Sequence, residues 1–380
     1  MRSSSRGVVD PFIVMDVMDA ARKLEEGGRS IIHMEVGQPG TAAPRLARDA
    51  LSQAMDADAL GYTVALGLPE LRQEIAALYA DWYGVDLDPG RVVITAGSSA
   101  AFILAFTALF DAGQAVGVTE PGYPSYRQIL KSLDLRPVGF ATHAKDRHVP
   151  QLPSGDLAGL IVASPANPTG TMLSKEDLSN LILSCQRQDV AFISDEIYHG
   201  VQYDGRAVSA LEISDDVYVI NSFSKYFSMT GWRLGWMVVP EDHVRIVERL
   251  AQNMFICAPH AAQVAALGAL QARDETQAML DVYTANRALM LDGLPRAGFD
   301  KIAPPDGAFY VYADVSDITQ DSLAFCKEVL EVAGVAITPG LDFDPIRGHQ
   351  TVRFSYARAT ADIKEGLKRL QNFMEARAKA

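Results

Sequence analysis

Apolar residues along this chain follow two patterns that predict different elements. Short continuous apolar runs are typical of strands buried on both faces, whereas apolar residues at three- and four-residue spacing are typical of helices packed on a sheet. The runs predict buried strands at residues 91–95, 116–119, 160–163, 190–194, 217–220 and 234–239. The helical spacing predicts helices at residues 11–27, 69–79, 101–110, 174–188 and 276–294. We therefore expect an α/β fold with a mainly parallel sheet flanked by helices.

The last part of the chain repeats this alternation on a smaller scale. Its patterns predict strands at residues 309–315, 334–338 and 351–356, and helices at residues 322–333 and 361–377. A further short strand is predicted near the N-terminus, at residues 31–36. We expect a large domain at residues 45–285, and a smaller α/β domain formed by residues 286–380 together with residues 1–44.

Composition and charge restrict the class of protein. A chain of 380 residues is too long for one ordinary hydrophobic core, which favours two or three domains. Apolar residues make up 48% and charged residues 21%, as in ordinary soluble globular proteins. The net charge of −13 disfavours nucleic acid and anionic membranes as partners.

The cysteines, histidines and apolar runs exclude several further classes. Cys185, Cys257 and Cys326 are far apart and form no CxxC pair, which disfavours a disulfide framework or a zinc site. The seven histidines show no metal-binding spacing, so we expect no structural metal. The first residues lack the apolar segment of a secretory signal, and no run is long enough to span a bilayer. These features predict a soluble, cytoplasmic protein.

The candidate chemistry centres on a lysine that follows a predicted strand. Residues 222–235 read SFSKYFSMTGWRLG, which places Lys225 among small residues and Arg233 shortly after it. Open α/β sheets bind ligands beyond the carboxyl ends of their strands. A lysine partly shielded from water at such a place can lose its proton and attack a carbonyl group.

Other polar residues occupy positions that require a partner. After the strand at residues 91–95, a small-residue turn that contains Ser98 and Ser99 leads into the apolar helix at residues 101–110, whose free N–H groups and dipole favour a bound anion. Asp195 closes an apolar strand, and Arg353 lies inside one. A carboxylate or guanidinium buried there is costly unless it meets an opposite charge or a hydrogen-bonding group.

These stretches resemble, in order, the motifs of the class I pyridoxal-phosphate (PLP) aminotransferases. Residues 222–235 fill every fixed position of that family's lysine signature. Further stretches resemble its "G-x-P", "P-x-Y", "P-x-N-P-T-G", "D-E-x-Y" and "R-x-S-x-A" segments, at residues 37–39, 121–123, 165–170, 195–198 and 353–357. The resemblance extends from Gly37 to Arg353, which is nearly the whole chain.

The resemblance implies a role for each motif residue. Lys225 would hold PLP covalently and transfer protons, Asp195 would pair with the pyridine nitrogen, and Tyr198 would reach the phenolic oxygen of the cofactor. Further cofactor contacts would come from Ser98, Ser99, Tyr123, Asn167, Ser222, Ser224 and Arg233, and from Tyr62 across a subunit interface. The substrate carboxylate would bind Gly37, Asn167 and Arg353.

The implied fold is the PLP fold type I, usually a homodimer with shared active sites. The implied reaction is a ping-pong transfer of the amino group between an L-amino acid and a 2-oxo acid. Aspartate-specific relatives often carry a lysine where this chain has Ser99, so we expect neutral side chains such as those of alanine, valine or aromatic amino acids. Phe12 and Val36 would line the pocket, and glutamate with 2-oxoglutarate would be the common partner pair.

Other activities remain open at this point. A PLP-dependent carbon–sulfur β-lyase or a cyclopropane-forming synthase would use the same lysine, aspartate, tyrosine and arginine. An aspartate-specific aminotransferase would need a cation from elsewhere in the chain or from a partner subunit. A PLP-dependent transcriptional regulator is disfavoured because residues 1–36 leave no room for a DNA-binding helix pair, and a nicotinamide enzyme because its glycine fingerprint is missing.

Overall fold

The structure, a computed structural model, describes residues 1–152, 155–303 and 305–379. Its strands are, in chain order, β1 (Ile32–His33), β2 (Val92–Thr95), β3 (Ala115–Glu120), β4 (Arg136–Ala141), β5 (Gly159–Ala163), β6 (Ala191–Asp195), β7 (Tyr218–Ser222), β8 (Gly235–Val238), β9 (Tyr310–Asp314), β10 (Val335–Ala336), β11 (Thr338–Pro339) and β12 (Thr351–Ser355). Its α-helices are α1 (Ile13–Glu26), α2 (Arg45–Ala57), α3 (Pro69–Tyr83), α4 (Gly97–Leu109), α5 (Pro124–Ser132), α6 (Lys175–Arg187), α7 (Val244–Met254), α8 (His260–Leu270), α9 (Arg273–Arg296), α10 (Ser322–Glu328) and α11 (Thr360–Arg377).

A seven-stranded sheet forms the centre of the large α/β unit. Its strand order is β2-β8-β7-β6-β5-β3-β4. The five strands from β7 to β4 run parallel to one another, and β8 runs antiparallel to both of its neighbours, β7 and β2. The predicted α/β fold with a mainly parallel sheet is therefore confirmed.

The continuous apolar runs are explained by burial on both faces of this sheet. In β5, Leu160 and Val162 pack into one hydrophobic cluster, whereas Ile161, between them, packs into the cluster on the opposite face. Adjacent side chains of a strand point to opposite faces, so a strand covered by helices on both sides is apolar at every position. The helix α4 is itself buried along much of its length, which accounts for its almost uninterrupted apolar sequence.

The smaller unit contains an antiparallel sheet, β11-β12-β9, and a parallel pair, β1 with β10. The strand predicted at residues 334–338 is wrong as one strand, because β10 and β11 pair with different partners on either side of Ile337. The strand predicted at residues 31–36 is only two residues long, because the chain then leaves the pair and turns towards residue 37. The helix predicted at residues 322–333 changes after α10 into a π-helical turn, Val329–Ala333.

One long helix connects the two units. The helix α9 is 24 residues long and continues unbroken past residue 285, where we placed the domain boundary. Its Met279, Tyr283, Met290 and Leu294 are buried in the core of the smaller unit. Met279 also accepts a hydrogen bond at Sδ from the hydroxyl of Ser228, in the turn that follows β7. The division into residues 45–285 and the remainder stays a prediction.

Candidate active site

A cavity of about 170 Å³ lies beyond the carboxyl ends of β5, β6 and β7, between the large and the small unit. Eleven of the thirteen predicted site residues line it: Gly37, Ser98, Ser99, Tyr123, Asn167, Asp195, Tyr198, Ser224, Lys225, Arg233 and Arg353. They come from strand ends, from the start of α4 and from the small unit. Folding thus brings residues that are far apart in the sequence to one place.

Lys225 occupies the turn that follows β7, in the centre of this cavity. Its Nζ donates a hydrogen bond of 2.6 Å to the carbonyl oxygen of Gly37. The lysine keeps some exposed surface, but its surroundings are densely packed. This burial lowers the pKa of Lys225 to about 7, and the positive charges of Arg353 and Arg233 act in the same direction. A large fraction of this side chain is therefore a neutral, nucleophilic amine near neutral pH.

Asp195 is the last residue of β6 and is 4% exposed. The hydroxyl of Tyr126 and the backbone N–H of Ile197, at 3.1 Å, donate hydrogen bonds to its carboxylate. Burial raises the pKa of Asp195 to about 6, although these hydrogen bonds oppose the shift. A buried carboxylate at this position is suited to accept a hydrogen bond from a protonated ring nitrogen.

The start of α4 and Arg233 form a site suited to an anion. Gly97, the first residue of the helix, has a φ of +77°, and a Cβ atom placed on it would lie only 2.6 Å from Nη2 of Arg233. Only a glycine therefore lets the guanidinium lie against the helix start. Free backbone N–H groups, the positive end of the helix dipole and a guanidinium together favour a phosphate group.

Ser222 lies behind the wall of the cavity. Its hydroxyl oxygen lies 2.7 Å from Oγ of Ser224 and 3.0 Å from the carbonyl oxygen of Leu234, and its single hydrogen is donated to one of them at a time. Ser224 itself lines the cavity. Ser222 thus holds the turn that carries Lys225, and a direct contact of Ser222 with a cofactor stays a prediction.

Arg353 lies in the middle of β12 and is 3% exposed. Among the described residues, its hydrogen bonds all go to neutral oxygens, including Oδ1 of Asn167 at 2.9 Å and the carbonyl oxygen of Glu35 at 2.5 Å. Its Nε is buried and has no hydrogen-bond partner in the same part of the chain. A buried guanidinium with a free donor and no carboxylate partner is suited to bind the carboxylate of a small molecule.

Several residues that line the cavity were not singled out from the sequence. Tyr126 lies in the first turn of α5, three residues after Tyr123, and its hydroxyl donates a hydrogen bond to Asp195. Tyr310 in β9 shares a hydrogen bond of 2.7 Å with Tyr198. The short spacing from Tyr123 was a signal for Tyr126. For Tyr310 no local pattern indicated which face of β9 lines the cavity.

The N-terminal end of α1 supplies an apolar wall. Val14 and Met15 line the cavity together with the expected Phe12 and Val36. The carboxylate of Asp342 accepts hydrogen bonds from the backbone N–H groups of Ile13, at 3.0 Å, and Val14, at 3.2 Å, and so fixes the start of this helix.

Tyr62 is not brought to the cavity of its own chain. It is 82% exposed in the segment before α3, and the nearby Val64 is 60% exposed. Its role across a subunit interface stays a prediction.

The described residues contain neither a candidate membrane span nor a candidate metal centre. None of the helices there is sufficiently long and apolar to cross a bilayer. Within the same ranges, no three His, Cys, Asp or Glu side chains group in a way that could hold a metal ion.

Comparison with known proteins identifies the family. The family model for aminotransferase class I and II matches residues 29–370. The chain is 47% identical to the valine–pyruvate aminotransferase of Mycobacterium tuberculosis, over 98% of each chain. A solved aminotransferase from Mycobacterium tuberculosis shares 46% identity and a TM-score of 0.97, covering 99% of this chain and 100% of that one. A solved protein from Silicibacter pomeroyi, assigned to the aminotransferases, shares 67% identity and a TM-score of 0.95 with the same coverage. The chain belongs to the class I and II aminotransferases, enzymes that move an amino group between an amino acid and a 2-oxo acid.

Proposed function

We propose that this aminotransferase uses PLP, bound in the cavity described above. The observation that supports the proposal is the placement of three groups that match three parts of PLP. The nucleophilic amine of Lys225 suits its aldehyde, the buried carboxylate of Asp195 suits its pyridine nitrogen, and the start of α4 with Arg233 suits its phosphate. These residues fit the cofactor.

When bound, PLP supplies an electron-withdrawing ring that stabilises negative charge at the α-carbon of the substrate. In our proposal the carboxylate of Asp195 keeps the ring nitrogen protonated, which sustains this effect. Ser98 and Ser99 bind the phosphate, and Tyr123 packs against the ring. The side chains of Asn167 and Tyr198 donate hydrogen bonds to the phenolic oxygen.

The same proposal assigns the proton transfer and the substrate orientation to other residues. Lys225, as a neutral amine, would take the proton from the α-carbon through its Nζ and deliver it to C4′ of the cofactor. Arg353 binds the α-carboxylate with its guanidinium and, with Gly37 and Asn167, orients the substrate. The two half-reactions, with amino acid and then with 2-oxo acid, use the same residues in opposite directions.

We propose that the preferred substrates have neutral side chains. Within the described residues, the only cations that line the cavity are Lys225, Arg233 and Arg353, and each already has a proposed role. A second carboxylate would be desolvated without a partner, whereas Phe12, Val14, Met15 and Val36 offer apolar contacts. The name of the relative from Mycobacterium tuberculosis points to valine and pyruvate. The same reasoning makes pyruvate a better acceptor than the expected 2-oxoglutarate.

We also propose a homodimer in which Tyr62 reaches the phosphate of the neighbouring site. Its support is the exposure of Tyr62 and Val64, two side chains that would gain from burial at an interface. Mixing Lys225→Ala chains with Tyr62→Ala chains, whose activity should be reduced, tests this arrangement, because mixed dimers would contain one site with both native residues. Recovery of activity on mixing is expected, and its absence would exclude the shared site.

The experiment that tests the function uses purified protein loaded with PLP and a panel of amino acids. L-Valine should convert the visible absorbance band to that of the amine form of the cofactor and release its 2-oxo acid, and pyruvate should reverse the change. A carbon–sulfur lyase would instead release pyruvate and a thiol from cysteine conjugates without an amino acceptor. Specificity constants that favour aspartate by about a hundredfold, roughly 3 kcal/mol, would contradict the neutral pocket.

A further inference from the structure

Tyr310 contacts two residues with different proposed roles, Tyr198 at the cofactor and Arg353 at the substrate carboxylate. It lies in β9, is 1% exposed and lines the cavity. Its hydroxyl is hydrogen-bonded to the hydroxyl of Tyr198, and its ring packs against the guanidinium of Arg353. None of the motifs that led to the site includes this tyrosine.

The hydrogen bond between the hydroxyl groups of Tyr198 and Tyr310 can have only one donor if Tyr198 donates its hydrogen to the cofactor. The two hydroxyl oxygens are 2.7 Å apart, and either could be the donor. A tyrosine hydroxyl has a single hydrogen, so Tyr198 can donate it to a cofactor oxygen only if Tyr310 donates its own hydrogen to Tyr198. Chains of hydrogen bonds strengthen one another, so a donor that itself accepts a hydrogen bond is the stronger donor.

The ring of Tyr310 performs a second task. The guanidinium carbon of Arg353 lies 4.2 Å from the centre of this ring and 4.6 Å from the centre of the Phe343 ring. A guanidinium stacked between two aromatic rings is attracted to both faces and held in one plane. The two rings therefore fix the plane in which Arg353 can bind a carboxylate.

The surrounding backbone is shaped to admit Tyr310. A Cβ atom placed on Gly37 would lie 1.7 Å from the Tyr310 hydroxyl oxygen. The absence of a side chain at Gly37 therefore makes room for the hydroxyl, and any side chain there would displace it.

We propose that Tyr310 is a positioning residue with two separable functions: its hydroxyl strengthens the hydrogen bond from Tyr198 to the cofactor, and its ring orients Arg353 towards the substrate carboxylate. The inference rests on the proposed function, because both tasks require PLP and an amino acid in this cavity. Tyr310 acts through its two neighbours and needs no contact of its own with the reacting atoms.

The hydroxyl is tested with Tyr310→Phe in the PLP-loaded protein. The measured quantity is the pH midpoint of the visible absorbance change, which reports the loss of the proton from the nitrogen that joins Lys225 to the cofactor. Above the midpoint that proton no longer lies beside the phenolic oxygen of the cofactor. The negative charge of this oxygen is then stabilised mainly by the hydrogen bond from Tyr198. Removing the Tyr310 hydroxyl should therefore raise the midpoint, by about 0.3 to 1 unit, the range of one ordinary hydrogen bond.

The ring is tested by comparing Tyr310→Phe with Tyr310→Leu in steady-state kinetics. Phenylalanine keeps the stacking surface, so KM for L-valine should change less than about twofold. Leucine removes it, and KM should rise roughly 3- to 30-fold, the range for a cation above an aromatic ring, with a smaller effect on kcat. Reaction with isobutylamine, which lacks the carboxylate, should be equally slow in the wild type and both variants.

Tyr312→Phe is the matched control. Tyr312 lies on the same strand and donates or accepts a 2.6 Å hydrogen bond with the hydroxyl of Thr351, outside the cavity. It should leave the absorbance midpoint and KM unchanged, and thermal unfolding of all variants would reveal any general loss of structure.

An unchanged midpoint in Tyr310→Phe, or an equal midpoint shift in Tyr312→Phe, overturns the role of the hydroxyl. An unchanged KM in Tyr310→Leu overturns the role of the ring. A wild type that binds no PLP overturns the proposed function itself.

Discussion

The two ends of the active site are built in different ways. At the cofactor end, Asp195, the turn of Lys225 and the start of α4 each follow a strand of one sheet, and the register of that sheet fixes their spacing. At the substrate end, the start of α1, the loop at Gly37 and the strands β9 and β12 come from distant parts of the chain. β9 and β12 pair along five residues of the small sheet, whereas the start of α1 and the loop at Gly37 are joined to that unit by individual hydrogen bonds, such as those of Asp342 with α1 and of Arg353 with Glu35.

This difference predicts which property of the enzyme a substitution should alter at each end of the site. Strand-end residues are held by backbone pairing that no single side chain controls, so substitutions at the cofactor end should alter chemistry while the cavity keeps its shape. Substitutions at the substrate end should alter affinity and selectivity while PLP still binds. The following experiments test that separation.

The largest effect is expected for Lys225→Ala. In our proposal this change removes both the amine that holds the cofactor and the group that moves the proton, so turnover should fall by at least about a thousandfold. Borohydride reduction of the wild type, followed by peptide mass spectrometry, should locate the cofactor on the peptide that contains Lys225. Cofactor attached to another lysine would disprove the assignment, and circular dichroism of the variant serves as the folding control.

Asp195→Ala should reduce the rate by about a hundredfold or more while most of the PLP stays bound. The variant lacks the buried charge that we propose holds the ring nitrogen protonated, whereas the phosphate contacts near Gly97 and Arg233 remain. Single-turnover rates with L-valine, compared with the bound cofactor measured after denaturation, separate the two effects. Single-turnover rates close to those of the wild type would contradict the role.

Arg353→Leu should weaken amino-acid binding and leave PLP binding intact. Loss of a buried charged hydrogen-bond partner costs about 2 to 5 kcal/mol, which is at least roughly thirtyfold in affinity. The comparison is between L-valine and isobutylamine, which differ in the α-carboxylate. If the variant prefers the amino acid over the amine as strongly as the wild type does, Arg353 has a structural role only.

The smallest effect concerns pH and tests the cofactor end alone. Burial lowers the pKa of Lys225 from 10.5 to about 7 in the cofactor-free protein, so its neutral form predominates above pH 7. The rate of PLP attachment should fall about tenfold for each pH unit below 7 and be nearly level above it. A simple amine in the same buffers corrects for the ionisation of PLP. An attachment rate that still rises tenfold per pH unit between pH 7 and 9 would show that the pKa of Lys225 is not lowered.

The same difference between the two ends decides how much was predictable from the sequence. Asp195 directly follows an apolar run and Lys225 follows one after four residues, so local pattern located both near strand ends, whereas Arg233 precedes the run at residues 234–239 and was located by its spacing from Lys225 in the family's signature. Six of the seven strands of the large sheet were also predictable, because continuous apolar runs indicate strands covered on both faces. The edge strand β4 was not predicted, because it has exposed positions and no continuous apolar run.

The substrate end was less accessible to such reasoning. Val14, Met15 and Tyr310 belong to elements that were predicted, but only tertiary packing decides which of their faces meets the cavity. The antiparallel direction of β8 and the division of residues 334–338 into two strands also depend on pairing with distant partners.

The helix α9 has a consequence for engineering the protein. At 24 residues it is a rod of about 36 Å, and it contacts the turn of Lys225 at Met279 as well as the small core. A gene divided at residue 285, where sequence alone suggested a boundary, would cut this rod between Tyr283 and Asn286, which are both buried. The two fragments would each expose apolar surface and a broken helix end. Fusion partners and split versions of this enzyme should therefore use exposed connections elsewhere in the chain and keep α9 whole.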